Sequence, residues 1–144
     1  MKYSSLDISE YIVSFCNKLN KKCTYTKLQF ILFYIQGYSL SITGETVFNE
    51  DFITTFDGPI LLSIYKKYYK NSNSPIENQF FSFIDDKQIE ALIKLAVMVT
   101  IDRTDEEIKI RGRRELSQLL NQKVIMENFK ILPEEIETYF RTKI

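Results

Sequence analysis

From Thr24 to Gly44 the chain reads TYTKLQFILFYIQGYSLSITG, with no charged residue after Lys27. Leu28, Ile31, Leu32, Ile35 and Tyr38 recur at three- and four-residue spacing, the period of one helical face. Phe33 and Tyr34 then widen the apolar arc beyond what a single neighbouring element would cover. A helix of this kind has to be wrapped by others, so the segment predicts a central helix. Gln29 and Gln36, with Tyr25, Tyr34 and Tyr38, interrupt the apolar surface, and they serve either as polar trimming of a core or as the rim of a site.

Around this helix the sequence repeats the punctuation of helix starts. Asp7 and Glu10 stand at capping-box spacing, with Leu6 and Tyr11 placed as a hydrophobic staple. Thr26 and Gln29 repeat the box with Tyr25 and Phe30 as staple, and Asp85 with Gln88 repeats it again beside Ile84 and Ile89. Thr104 and Glu107 supply a fourth. Gly44 suits a left-handed helix end, and Gly112 predicts an interruption or bend in the helix after Thr104. Pro59 is expected at the first position of a helix, as is Pro133 with Glu134 and Glu135 behind it. Between Gly44 and Pro59, ETVFNEDFITTF is rich in β-branched and aromatic residues and reads as extended. NSNSP, from Asn71 to Pro75, reads as a loop. The expected architecture is a mainly α, single-domain helical bundle over residues 1–144, with a small extended or β element around residues 46–56.

Composition narrows the function. The 144 residues are enough for one core, and a 44% hydrophobic, 26% charged balance is that of a globular chain. With no histidine, the commonest general base and metal ligand is missing, and Ser-His or Cys-His nucleophile pairs cannot be assembled. Cys16 and Cys23, without histidine, do not make a zinc site and read as reduced core thiols. The four glycines form neither a dinucleotide fingerprint nor a phosphate loop, so no cofactor is called for. Asp85 and Asp86 are read as cap residues rather than an acid-base pair. Net charge is zero, which supplies no general attraction to nucleic acid or to an anionic membrane. No apolar run approaches the roughly 18–20 residues of a membrane span, so a soluble cytoplasmic protein is expected.

What remains is a surface for binding. Tyrosines beyond those a small core can take are good interface anchors, and Tyr65, Tyr68 and Tyr69 are the candidates; core filling is the default for Phe48, Phe52 and Phe56. Arg103, Lys109, Arg111, Arg113 and Arg114 concentrate basic charge around Gly112. They read as a solvated helix face balanced by Asp105, Glu106, Glu107 and Glu115, or as a patch for phosphates or an acidic protein.

The run KLQFILFYIQGYSLSITGETVFNEDFITTFDGPILLSIYKKY resembles the SocA-like, or Panacea, domain, also met as a phage-associated GepA-like domain. Lys27, Leu28, Gln29, Leu32, Tyr34, Gln36 and Gly37 match its K-L-Q-K-L-L-Y-x-x-Q-G helix. Phe48, Phe52, Gly58, Pro59 and Tyr65 match the aromatic and acidic segment ending in Gly-Pro and a tyrosine. The chain departs from the pattern at Thr54, Thr55 and Phe56, where the family often has Ala-Trp. ELSQLLNQ keeps Leu116 and Ser117 of a C-terminal motif without its histidine and tryptophan. The resemblance implies a bacterial or prophage antitoxin that neutralises a cognate protein toxin by direct binding, with a host protease or chaperone as a further partner where the toxin is delivered for degradation. On this reading Gln29, Gln36, Asp57, Gly58, Pro59, Tyr65, Tyr68, Tyr69, Arg111, Arg113 and Arg114 are the expected partner-binding residues. Gln29 equally suits a capping box, and Gln36 could instead order the Asp57-Gly58-Pro59 loop. The alternatives are a phage or mobile-element inhibitor of a host protein and, further off, a DNA-binding regulator.

Overall fold

A computed structural model describes residues 3–77, 84–122 and 126–143. The described residues form six α-helices and a three-stranded antiparallel sheet: α1 (Ser5–Lys18), α2 (Tyr25–Thr43), β1 (Phe52–Thr55), β2 (Gly58–Ile60), α3 (Leu62–Tyr68), α4 (Lys87–Met98), α5 (Asp105–Leu120), β3 (Lys130–Ile131) and α6 (Pro133–Lys143). The protein is mainly α-helical with a small sheet, as its sequence predicts.

Helix α2 is the axis of the fold. It packs against α1, α4, α5 and α6, and Leu28, Ile31, Leu32, Phe33 and Ile35 have no exposed surface. Its crowding is aromatic: the Phe33 ring meets Phe52 of β1 at 5.4 Å and Phe140 of α6 at 5.3 Å, both edge-on. Gly37 is what lets α6 approach, since a Cβ there would lie 2.3 Å from the Phe140 ring. Gly44, at φ 76°, ends the helix in the expected left-handed conformation.

The helix starts are shifted from the expected registers. Ser4, not Asp7, caps α1, accepting from the Asp7 N–H at 3.0 Å, and Asp7 lies in the first turn where its charge faces the positive helix end. Thr24, not Thr26, caps α2; its Oγ1 accepts from the Lys27 N–H at 3.3 Å and also donates to Asp105 at 2.7 Å, tying the starts of α2 and α5 together. Asp86, not Asp85, caps α4, accepting from the N–H groups of Gln88 and Ile89, while Asp85 accepts the Tyr3 hydroxyl at 2.8 Å. The Thr104–Glu107 box at the start of α5 is present in both directions at 3.1 Å.

Two further expectations change. Pro59 does not open a helix: it lies on β2, paired with Thr54, and α3 begins at Leu62. β2 is an edge strand of the order β2-β1-β3 and packs against α5, and at a sheet edge a residue without an N–H is tolerated. Gly112 does not interrupt α5, which continues to Leu120. A Cβ at Gly112 would fall 2.6 Å from the Asp57 carbonyl oxygen, and one at Gly58 would fall 3.0 Å from the Gly112 Cα. The two glycines allow the helix backbone and the β1–β2 hairpin to touch. The extended segment is confined to residues 52–55 and 58–60, and β3, which has no strong local signal, pairs Ile131 with Phe52. Asn71–Pro75 is a chain of turns following a 3₁₀ turn at Tyr69–Asn71, closed by a bridge between Thr24 and Pro75. Cys16 and Cys23 are both free and buried.

Candidate protein-binding surface

Gln29 and Gln36 are both only 3% exposed. Each works as a two-pronged clamp on a passing backbone. The Gln29 amide donates to the Leu61 carbonyl at 3.1 Å and accepts from the Leu61 N–H at 2.9 Å. Gln36 donates to the Phe48 carbonyl at 2.9 Å and accepts from the Val47 N–H at 2.7 Å. An irregular backbone buried against a helix needs such partners, because an unpaired peptide group there is costly. Both amides are turned inward onto their own chain, and Gln36 orders the 47–48 segment rather than the Asp57-Gly58-Pro59 loop. Gly58 and Pro59 are buried as well. The two glutamines of α2 are core architecture.

The exposed candidates lie just outside that core. The two-residue turn Phe56–Asp57 carries the hairpin to α5, where the Arg113 guanidinium lies 4.9 Å from the Phe56 ring centre and 3.5 Å from an Asp57 carboxylate oxygen. Phe56 is 62% exposed, so this ring, expected in the core, is instead held upright at the surface by an arginine. Beside it, Tyr65 and Tyr69 stack at 4.6 Å, and Tyr25 meets them edge-on at 6.5 and 5.3 Å. Tyr65 and Tyr69 are exposed; Tyr25 is buried beneath them. Burial pushes the Tyr25 hydroxyl up to about 12, offset in part by its bond to Gln29 and reinforced by the nearby charge of Asp57. Tyr68 stands apart, half-buried, with the Lys67 ammonium 5.4 Å from its ring. A groove of about 510 Å³ runs between α3, the hairpin turn and the first turns of α2 and α5, and contains Tyr25, Asp57, Tyr65 and Tyr69 in its walls.

The basic segment does not form one patch. Arg113 faces the hairpin, Arg114 is exposed, and the charge of Arg111 acts on Tyr34, Tyr38 and Tyr139 on the other side of α5. There lies a feature the charge count conceals. Glu115, read from sequence as a solvated counter-charge, is 2% exposed; it accepts the hydroxyls of Tyr34 and Tyr139 and the Lys143 ammonium, the last at 2.9 Å. Burial, with the bond to Glu115 added, holds both tyrosines well above the usual phenol range. The signal was available: Glu115 continues the buried stripe of Ile108, Gly112 and Leu116 at helical spacing.

Among the described residues no group of histidine, cysteine or acidic side chains could hold a metal ion, and no helix is long and apolar enough to cross a membrane. The exposed side chains at the hairpin turn and on the neighbouring α3 segment include Phe56, Tyr65 and Tyr69, with Arg113 against the Phe56 ring, residue types enriched among protein-binding anchors. The family model described as "Antitoxin SocA-like, Panacea domain" matches residues 28–138, and the chain belongs to that family. No curated protein and no solved structure matches the chain.

Proposed function

We propose that the protein is an antitoxin that neutralises a cognate protein toxin by direct binding in the cytoplasm, acting as a single domain and without catalysis of its own. Membership of the Panacea family over residues 28–138 carries this reading. The face formed by Phe56, Arg113, Tyr65 and Tyr69 supports it, because large rigid side chains of this kind contribute contact area at low entropic cost. The glutamine clamps and the glycine contact hold the frame, and the exposed residues around the groove select the partner.

The test is co-expression with the product of each adjacent reading frame, scored for growth and for co-purification. A neighbour that arrests growth alone, and is silenced in a stable complex with this protein, is the expected result. If no neighbour is toxic, or a toxic one is silenced without any complex, direct neutralisation is wrong.

A further inference from the structure

Within that antitoxin reading, on which this inference rests, the groove has a definite chemistry. Its aromatic wall is the Tyr65–Tyr69 stack at 4.6 Å, and Phe56 is a further lining residue. Three carboxylates line it, Asp57, Asp105 and Glu127. Each uses one oxygen internally: Asp57 on Arg113 at 3.5 Å, Asp105 on the Thr24 hydroxyl at 2.7 Å, and Glu127 on the Phe56 N–H at 3.0 Å. A second oxygen of each remains for an incoming donor. The lining cation, Lys109, is drawn toward Glu106, 3.9 Å away and outside the groove. A negatively charged cleft walled by aromatic faces attracts a cation twice, through the carboxylates and through the ring quadrupoles. The molecule already shows that contact once, in the guanidinium of Arg113 packed between the Phe56 ring and the Asp57 carboxylate.

We propose that this groove is the receptor for an arginine or lysine side chain on an exposed segment of the toxin, which lies against Tyr65 and Tyr69 and donates to Asp57 and Glu127. Recognition of the partner then turns on a positive charge entering a protein of zero net charge at an acidic cleft with an aromatic wall.

Two measurements test this separately from the antitoxin assignment. In the first, the full chain is titrated with N-acetyl-arginine amide, with N-acetyl-glutamate amide as control, following the tyrosine ring signals by NMR. Saturable shifts at Tyr65 and Tyr69 with the arginine probe only, reduced by salt and lost in Asp57→Asn/Glu127→Gln, are expected. Absence of those shifts, or equal shifts with glutamate, overturns the proposal. In the second, the toxin identified by co-expression is bound to wild type and to Asp57→Asn/Glu127→Gln/Tyr69→Ala, with the variant's fold checked by thermal melting. Affinity is expected to fall about tenfold or more, the scale of one cation–π contact with its carboxylate partner. Undiminished binding by the folded variant rejects the groove while leaving the antitoxin reading intact. Failure of wild type to bind any neighbour's product rejects the antitoxin reading, and the probe titration still decides whether the groove takes a cation.

Discussion

Gln29 and Gln36 show how one side chain can close a loop onto a helix. Each amide offers a donor and an acceptor in one plane, and each meets a peptide N–H and C=O on a passing segment. Replacing Gln36 with Leu keeps most of the volume and strands both the Val47 N–H and the Phe48 carbonyl. At about 1–3 kcal/mol for each unsatisfied buried group, a loss of about 2–6 kcal/mol is expected from urea unfolding. A glutamine kept for a partner would instead leave stability unchanged and weaken only the complex. Gly112→Ala makes a sharper test of sign. Alanine favours a helix interior by about 1 kcal/mol, yet here its Cβ would meet a carbonyl oxygen at 2.6 Å that cannot rotate away. Net destabilisation of about 1–3 kcal/mol is expected, and a rise in stability would mean that α5 and the hairpin are not in close contact.

At the scale of elements, the sequence carries helix starts in overlapping registers. Ser4, Asp7, Thr24, Thr26, Asp85 and Asp86 can each accept from a first-turn N–H, so local pattern narrows a start to a few residues and no further. Tertiary partners choose among them: Thr24 is held by Asp105, Asp85 by Tyr3, and Gln29 is taken from its box by Leu61. At Thr104 the local reading is correct although Asp102 and Asp105 stand beside it, because Asp102 is taken by Lys21 and Asp105 by Thr24 while the box with Glu107 closes. Calorimetry should find that Thr104→Ala costs about 1 kcal/mol and Ser4→Ala a comparable amount, whereas Asp7→Ala costs less than half as much. A larger loss at Asp7 than at Ser4 would restore the register expected from sequence. Pro59 follows the same rule, since a first helical position and an edge strand both accept a residue without N–H, and the hairpin register with Thr54 decides for the strand.

The whole molecule responds to pH through its tyrosines. Tyr11 and Tyr25 are pushed up to about 12 by burial, Tyr11 also by its bond to Glu90, and Tyr34 and Tyr139 are raised further by burial beside Glu115. In the unfolded chain all four ionise near 10. Between pH 10 and 12 the unfolded state therefore loses protons that the folded state keeps, so stability present below pH 10 is lost as the pH rises through that window. Cooperative alkaline unfolding should coincide with the appearance of tyrosinate absorbance from these residues; independent titration of them near pH 10 in the folded protein would contradict the packing around Glu115. Considered alone, the sequence determined the mainly helical class, the centrality of α2, the left-handed stop at Gly44 and the lack of histidine chemistry, because these follow from local period, backbone sterics and composition. The structure decided that the glutamines face inward, that Phe56 stands outside, that Arg111 and Arg113 part company, and that Glu115 is buried. Those outcomes depend on which distant backbone groups and charges arrive beside each residue, and a side chain's partners are set by the packed whole rather than by its neighbours along the chain.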